Sequence, residues 1–437
     1  MIEREILASI ILDFQRGEFP PLIKRELNVN LDLPLKRAIV IMGPRRCGKT
    51  YYLYYLIKRL IKEGLKREQI LYVNFEDPRL INLSVKDLVL LMDVFFEILP
   101  ENKRRKIWLF FDEIQSIPNW EIFIRSILDK ENANVFITGS SSKLLSKEIA
   151  TSLRGRTLNY LLLPFSLNEF LEARGISKER YLSSEEKARF RNAFMEYFAH
   201  GGYPEAVFYP LERRRILQEI VEVTIYKDIV ERYKIRNIKV IKLLFNYLIN
   251  AKEFSVHKYF NFLKSLNIKV SKNSLYNYLN YLNDAFIFFP LHRFSYSLKE
   301  IEQSVPKVYC VDNGLIEIIV GDNKGKKFEN LVFLTLLKRG FEPNRDMFFY
   351  SLNGGEVDFA IKEGNKITSL IQACYDILEY RTKEREINSL IRAGEKLRCK
   401  NLYVITLDYE SQETYGNHKI EFIPLWKWAL TTEPLLP

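Results

Sequence analysis

Gly43-Pro44-Arg45-Arg46-Cys47-Gly48-Lys49-Thr50 follows the apolar run Ala38 to Ile41 and precedes YYLYYLIKRLI at 51–61. It fills every fixed position of the pattern G-x-x-x-x-G-K-[ST], in the strand–loop–helix setting that the pattern requires. Glycines let the backbone curl so that N–H groups point at phosphate oxygens. Lys49 neutralises the β and γ phosphates, and the Thr50 hydroxyl reaches Mg²⁺. The helix opening at Thr50 turns its positive end to the anion. Gly43, Pro44, Arg45, Arg46, Cys47, Gly48, Lys49, Thr50 and Tyr51 are therefore the expected nucleotide-binding residues, with ATP and Mg²⁺ as cofactors.

The next signal outward is Ile107-Trp108-Leu109-Phe110-Phe111-Asp112-Glu113. A buried strand ending in two acids suits one metal-holding carboxylate beside one that polarises water. Asp112 joins Thr50 as a metal residue, and Glu113 is the catalytic base. Taken alone, the same run is an ordinary strand end. Further apolar runs lie at 71–76, 134–140 and 158–164, separated by segments of helical periodicity, which predicts a parallel sheet covered by helices. A strand between the loop strand and the acidic strand places Ser140 at its tip, near the γ-phosphate; a plain turn serine reads the same way.

The totals fit a globular protein of two to four domains: 437 residues, 47% hydrophobic and 28% charged. No apolar run approaches the ~20 residues of a membrane span. MIEREILASIILDF reads as a helix rather than a signal peptide, so the expected location is cytoplasmic. The four cysteines lie far apart, which predicts neither disulfides nor a zinc site. The net charge is +11, and residues 236–300 hold ten Lys and Arg against three acids. That local excess suits a polyanionic partner.

The ordered series of motifs resembles a prokaryotic and archaeal AAA-type ATPase family that carries a C-terminal domain of unknown function. Matching segments are the loop at 43–50, Tyr72-Val-Asn-Phe-Glu, Phe111-Asp-Glu-Ile-Gln, Thr138-Gly-Ser-Ser and Leu153-Arg-Gly-Arg. Pro164-Phe-Ser-Leu-Asn-Glu-Phe, His200-Gly-Gly-Tyr-Pro, Gly355-Glu-Val-Asp-Phe and Ile423-Pro-Leu-Trp-Lys-Trp continue it. The resemblance implies an α/β fold: an AAA-like P-loop core at 1–165, a helical lid at 166–235, a winged helix at 236–304 and a restriction-endonuclease-like domain at 305–437. It also implies a homo-oligomeric ring in which Arg154 or Arg156 reaches a neighbour's γ-phosphate. Two solvated arginines are the plain alternative.

Residues 236–300 read as a winged helix in their own right. Helices near 240–250 and 257–266 precede a third, capped by Ser271, and IFFPLHRFSYSL reads as a two-stranded wing. Lys272, Asn273 and Tyr276 on the third helix and Arg293 on the wing are the candidate nucleic-acid contacts. Docking of a protein partner would use the same module.

From Lys326 the order helix, three strands, helix, strand resembles restriction-endonuclease-like enzymes. These need metal-holding acids and an acid-x-Lys pair. Glu329, Asp358 and Gln372 fall at the metal positions and Cys374 at the lysine position, so the site reads as degenerate. Lys362, Arg381 and Lys383 are the nearby substitutes for the missing cation. The function expected is a DNA-associated ATPase that remodels or moves on nucleic acid. A nucleotide switch controlling a protein partner and an ATP-gated nuclease are the alternatives.

Overall fold

Continuous apolar runs make strands that are buried on both faces, and such strands assemble in parallel beneath helices. The computed structural model describes residues 2–139, 153, 155–176, 183–352 and 355–431. It divides into two compact units, 1–163 and 164–437. In the first, β1 (Ala38–Met42), β2 (Ile70–Asn74), β3 (Ile107–Asp112), β4 (Ala133–Gly139) and β5 (Thr157–Leu161) form one parallel sheet in the order β2-β3-β4-β1-β5. Helices α1 (Arg4–Arg16), α2 (Lys49–Lys62), α3 (Val85–Ile98) and α4 (Trp120–Lys130) accompany it.

Side-chain spacing explains the packing. Tyr52, Leu53, Leu56, Ile57 and Leu60 make one buried stripe of α2, and share a core with Ile39, Ile41, Phe110 and Phe136. The rings of Phe110 and Phe136 stack at 4.5 Å. The next residue along β3, Phe111, instead meets Phe123 of α4 at 5.7 Å. Because β4 lies between β1 and β3, its last residues stand between the loop after β1 and the acids ending β3.

The second unit opens with α5 (Leu167–Ala173), α6 (Ser184–His200), α7 (Pro204–Phe208) and α8 (Arg213–Val223). Capping boxes start α5 (Ser166, Glu169) and α6 (Ser183, Glu186). Within this unit, in the segment expected as a lid, α6 and α8 pack against α13 (Asn313–Val320) and α6 also against α14 (Lys324–Lys338). His200-Gly201-Gly202 makes the joint. The buried Asp312 accepts the N–H groups of Gly202 at 2.7 Å and Gly314 at 2.8 Å. At Gly201 φ is +73°, and a Cβ would lie 1.9 Å from Asp312 Oδ1; only glycine fits.

Three helices follow: α9 (Ile238–Asn250), α10 (Val256–Ser265) and α11 (Lys272–Asp284). Ser271 caps α11 through the Ser274 N–H at 3.0 Å, as its sequence indicates. The wing differs from expectation. Only Phe288–Leu291 of the expected hairpin is a strand (β6), and it pairs antiparallel with β7 (Lys307–Cys310), with α12 (Leu298–Gln303) between them. Residues 292–294 turn instead to the edge strand of the next sheet: the Phe294 N–H donates to the Phe349 carbonyl at 2.7 Å.

That sheet has six strands in the order β12-β13-β11-β10-β9-β8. They are β8 (Met347–Leu352), β9 (Gly355–Glu363), β10 (Lys366–Cys374), β11 (Asn401–Thr406), β12 (Ser411–Tyr415) and β13 (His418–Pro424). On α15 (Tyr380–Leu397), Ile387, Leu390, Ala393 and Leu397 pack with Val357, Leu370, Leu402 and Val404. Phe333 of α14 stacks on Tyr309 at 4.2 Å.

The joint carries a stability prediction. Gly201→Ala should lower unfolding stability by roughly 2–4 kcal/mol, because positive-φ strain and a clash with the Asp312 carboxylate combine. Asp312 adds a pH dependence: burial pushes its carboxyl from 3.8 up to about 6. A raised acid contributes stability that is fully present below its unfolded value and lost as pH rises through the folded one. From pH 4 to 7 the thermal midpoint of the native chain should therefore fall relative to that of Asp312→Asn. Parallel curves for the two proteins would exclude this assignment.

Candidate functional site

The loop after β1 is shaped by close backbone approach. A Cβ at Gly43 would lie 2.0 Å from the Leu162 carbonyl, and Arg46 and Gly48 take left-handed φ of 61° and 96°. Such turns aim successive N–H groups into one concavity. Arg25, which nothing in its sequence setting singles out, braces the loop by donating to the Cys47 carbonyl at 3.0 Å and to the Leu163 carbonyl. Cys47 is buried, which pushes its thiol up. Lys49 lies beneath the loop, its ammonium 3.2 Å from the Pro44 carbonyl and 3.6 Å from the Glu113 carboxylate. Tyr51 is exposed, with its ring beside Tyr54.

Asp112 is wholly buried at the end of β3. Its Oδ2 accepts the Thr50 hydroxyl at 2.7 Å and the Tyr72 hydroxyl at 3.1 Å, and its Oδ1 accepts the Thr138 hydroxyl. Burial raises the Asp112 carboxyl, while the Thr138, Thr50 and Tyr72 hydroxyls oppose the rise. Thr138 has a second contact: its oxygen accepts the Glu113 N–H at 3.0 Å. Glu113 sits at φ 54°, a left-handed turn that Thr138 pins. The Gln115 amide donates to the Glu113 carboxylate. Glu76, at the end of the β2 run, has its carboxyl raised by burial and by Glu113.

Lys49, Thr50, Asp112 and Glu113 are thus brought together. Tyr72, Thr138 and Gln115 complete the site, although the sequence reading quoted them only within matching segments and gave them no role. Ser140 and Arg154 lie outside the described residues. Arg156 precedes β5, its carbonyl accepting the Ala38 N–H at the start of β1. It stands a strand length from the loop, about 13 Å for four residues, and pairs with Asp129.

The other candidates lie in the second unit. Lys272, Asn273 and Tyr276 share an exposed face of α11, and the Lys272 ammonium lies 3.0 Å from His257 Nδ1. Arg293 is half-buried in the segment that pairs with β8. Glu329 and Asp358 do come together, and the ammonium of Lys307 stands between them, 2.9 Å from Glu329 and 2.8 Å from Asp358. Gln372 is engaged elsewhere: its amide donates to Glu386, and its oxygen accepts the Asp358 N–H at 3.2 Å. Burial pushes the Cys374 thiol up to about 12. Lys383 is committed to Glu413 at 2.7 Å.

Fold and site together define an AAA-type P-loop NTPase domain. Residues 35–171 match the AAA domain family, and residues 191–325 match a domain of unknown function, DUF8612. The chain belongs to the family of the uncharacterized protein MJ1544 of Methanocaldococcus jannaschii, with 42% identity over 99% of this chain and 97% of that one. An uncharacterized protein of Haemophilus influenzae is 29% identical over 90% of this chain and 94% of its own length. Among solved structures, the chain is similar to the Aeropyrum pernix ORC1 protein in complex with DNA. That likeness has 15% identity, covers 74% of this chain and 93% of that one, and has a TM-score of 0.27. No helix among the described residues is long and apolar enough to cross a membrane.

Thr138→Val tests the local geometry. It keeps the shape, removes the hydroxyl from Asp112 and leaves the Glu113 N–H unpaired. ATP affinity should stay within about threefold while turnover falls about 10- to 100-fold, the cost of a small misplacement at a reacting centre. Turnover at the native rate would show that Thr138 does not position these acids.

Proposed function

We propose that this chain is a Mg²⁺-dependent ATPase that works on DNA. The observation that carries the reading is the Thr50 hydroxyl 2.7 Å from a fully buried Asp112, with Lys49 and Glu113 beside them. Hard oxygen donors at the start of a helix and the end of a strand suit Mg²⁺. Thr50 and Asp112 would hold it, and the bound ion would neutralise phosphate charge. Lys49 and the N–H groups of the loop bind the phosphates, and Glu113 orients the attacking water and draws its proton.

Arg156 cannot reach its own loop from the far end of β1, so a role on phosphate would be exercised across a subunit interface of a homo-oligomer. The DNA contact is assigned to the exposed α11 face, Lys272, Asn273 and Tyr276, in a module that carries most of the positive excess. Arg293 is better explained by its pairing with β8. In the second unit the antiparallel β8-β9-β10 and parallel β10-β11 pairings, with α14 and α15, support a degenerate nuclease-type fold.

The decisive experiment is ATP turnover with and without single- and double-stranded DNA, with turnover expected to rise. Lys49→Ala should lose nucleotide binding, whereas Glu113→Gln should bind ATP yet barely hydrolyse it. Hydrolysis of the Gln variant at the native rate would remove Glu113 as the base. DNA affinity should fall steeply with salt, and Lys272→Gln should shallow the log–log slope by about 1 if it contacts one phosphate. No binding at low salt would move the reading to a nucleotide switch acting on a protein.

A further inference from the structure

In the second unit three carboxylates surround a single buried lysine. Lys307 comes from β7, the strand paired with β6 beside the three-helix module. Its side chain is 1% exposed. The ammonium lies 2.9 Å from Glu329 on α14, 2.8 Å from Glu356 and 2.8 Å from Asp358, both on β9. Three carboxylates from two separate elements therefore converge on one point. Tyr309 donates to the same Glu329 oxygen at 2.8 Å. The Ala373 N–H donates to the remaining Asp358 oxygen at 3.0 Å. Lys252, more exposed, pairs with Glu356 at 3.0 Å.

These distances are those of charge-assisted hydrogen bonds, not of Mg²⁺–oxygen bonds near 2.1 Å. The charge balance agrees. Three acids alone carry three negative charges, a common demand of a divalent ion; two lysines leave a single one. Burial works against the Lys307 charge, but Asp358, Tyr309, Glu329 and Glu356 hold it well above its ordinary range. The nuclease-type fold implies a divalent metal at this position, and the residues present do not fit one. Among the described residues, no group of three His, Cys, Asp or Glu is placed to hold a metal.

We propose that Lys307 is a built-in cation that replaces the divalent metal of this cage, so that Glu329, Glu356 and Asp358 bind no Mg²⁺ or Mn²⁺ while its ammonium is in place. The second unit is then a rigid platform, pinned to the three-helix module through β7, and not a hydrolytic centre. The inference does not rest on the nucleotide reading, since the cage lies wholly in the second unit.

The test is Mn²⁺ binding to the full nucleotide-free chain, followed by the loss of the free-ion spin-resonance signal. Measuring every protein in the Asp112→Asn background removes the metal-holding carboxylate of the first unit. That parent should show no saturable site that depends on Asp358. Lys307→Ala should gain one Mn²⁺ equivalent, and Lys307→Ala with Asp358→Asn should lose it again. Lys307→Ala leaves three carboxylates without their cation and risks poor folding, so thermal midpoints form a second readout. Mn²⁺ should raise the midpoint of Lys307→Ala by several degrees and leave the parent and the double-site variant unmoved. A Mn²⁺ site in the parent that Asp358→Asn abolishes would overturn the proposal. So would a Lys307→Ala protein that neither binds Mn²⁺ nor is stabilised by it.

Discussion

A carboxylate withdrawn from water must be given hydrogen bonds, and the first unit is arranged around that demand at Asp112. Its donors come from three different elements: Thr50 from the first turn of α2, Tyr72 from β2 and Thr138 from β4. They meet at one side chain only because β2, β3 and β4 are adjacent and parallel and α2 begins at the end of β1. A shift of one residue in β4 would turn Thr138 to the other face of the sheet. It would also release the Glu113 N–H and with it the left-handed turn that directs that acid. The ring contacts behind Tyr72, to Phe14 at 5.7 Å and Tyr54 at 4.9 Å, extend the dependence to α1 and α2.

Much of this was legible from the chain. Strands β1 to β4 are apolar runs that read as buried, whereas the edge strand β5 is only partly buried, and the spacing of Gly43, Gly48, Lys49 and Thr50 admits few other uses. Periodicity and caps likewise located α9, α10 and α11. Thr138 was missed in favour of Ser140 because sequence shows where a strand ends but not which of its last residues faces the neighbouring carboxylate. The wing was misread for a related reason. The run from Phe288 to Leu298 has strand composition throughout, yet β6 finds its partner at Lys307–Cys310, and residues 292–294 are claimed by β8. Local pattern cannot rank two partners that both lie elsewhere in the chain.

Lys307 is the extreme case. It stands 22 residues from Glu329 and 51 from Asp358, and in the sequence it is one lysine among many at the start of a short strand. The reading of Gln372 and Cys374 as departures from a nuclease pattern looked for the cation at those positions and on their sequence neighbours, and so did not reach Lys307. The replacement is a cation delivered from another element.

The chain therefore holds two buried carboxylate clusters with opposite solutions. At Asp112 the partners are neutral hydroxyls, which satisfy the oxygens without cancelling their charge and can turn toward an arriving ion. At Glu329, Glu356 and Asp358 the partner is itself an ion. A divalent cation entering that cage would stand about 3 Å from an ammonium, a repulsion on the order of 10 kcal/mol at an effective dielectric of about 20. The lysine would have to leave first, and leaving would place a charge with 1% exposure in surroundings that offer it no other three carboxylates. The same residue types thus meet neutral donors in one unit and an ammonium in the other, and the difference lies in the charge of the donor.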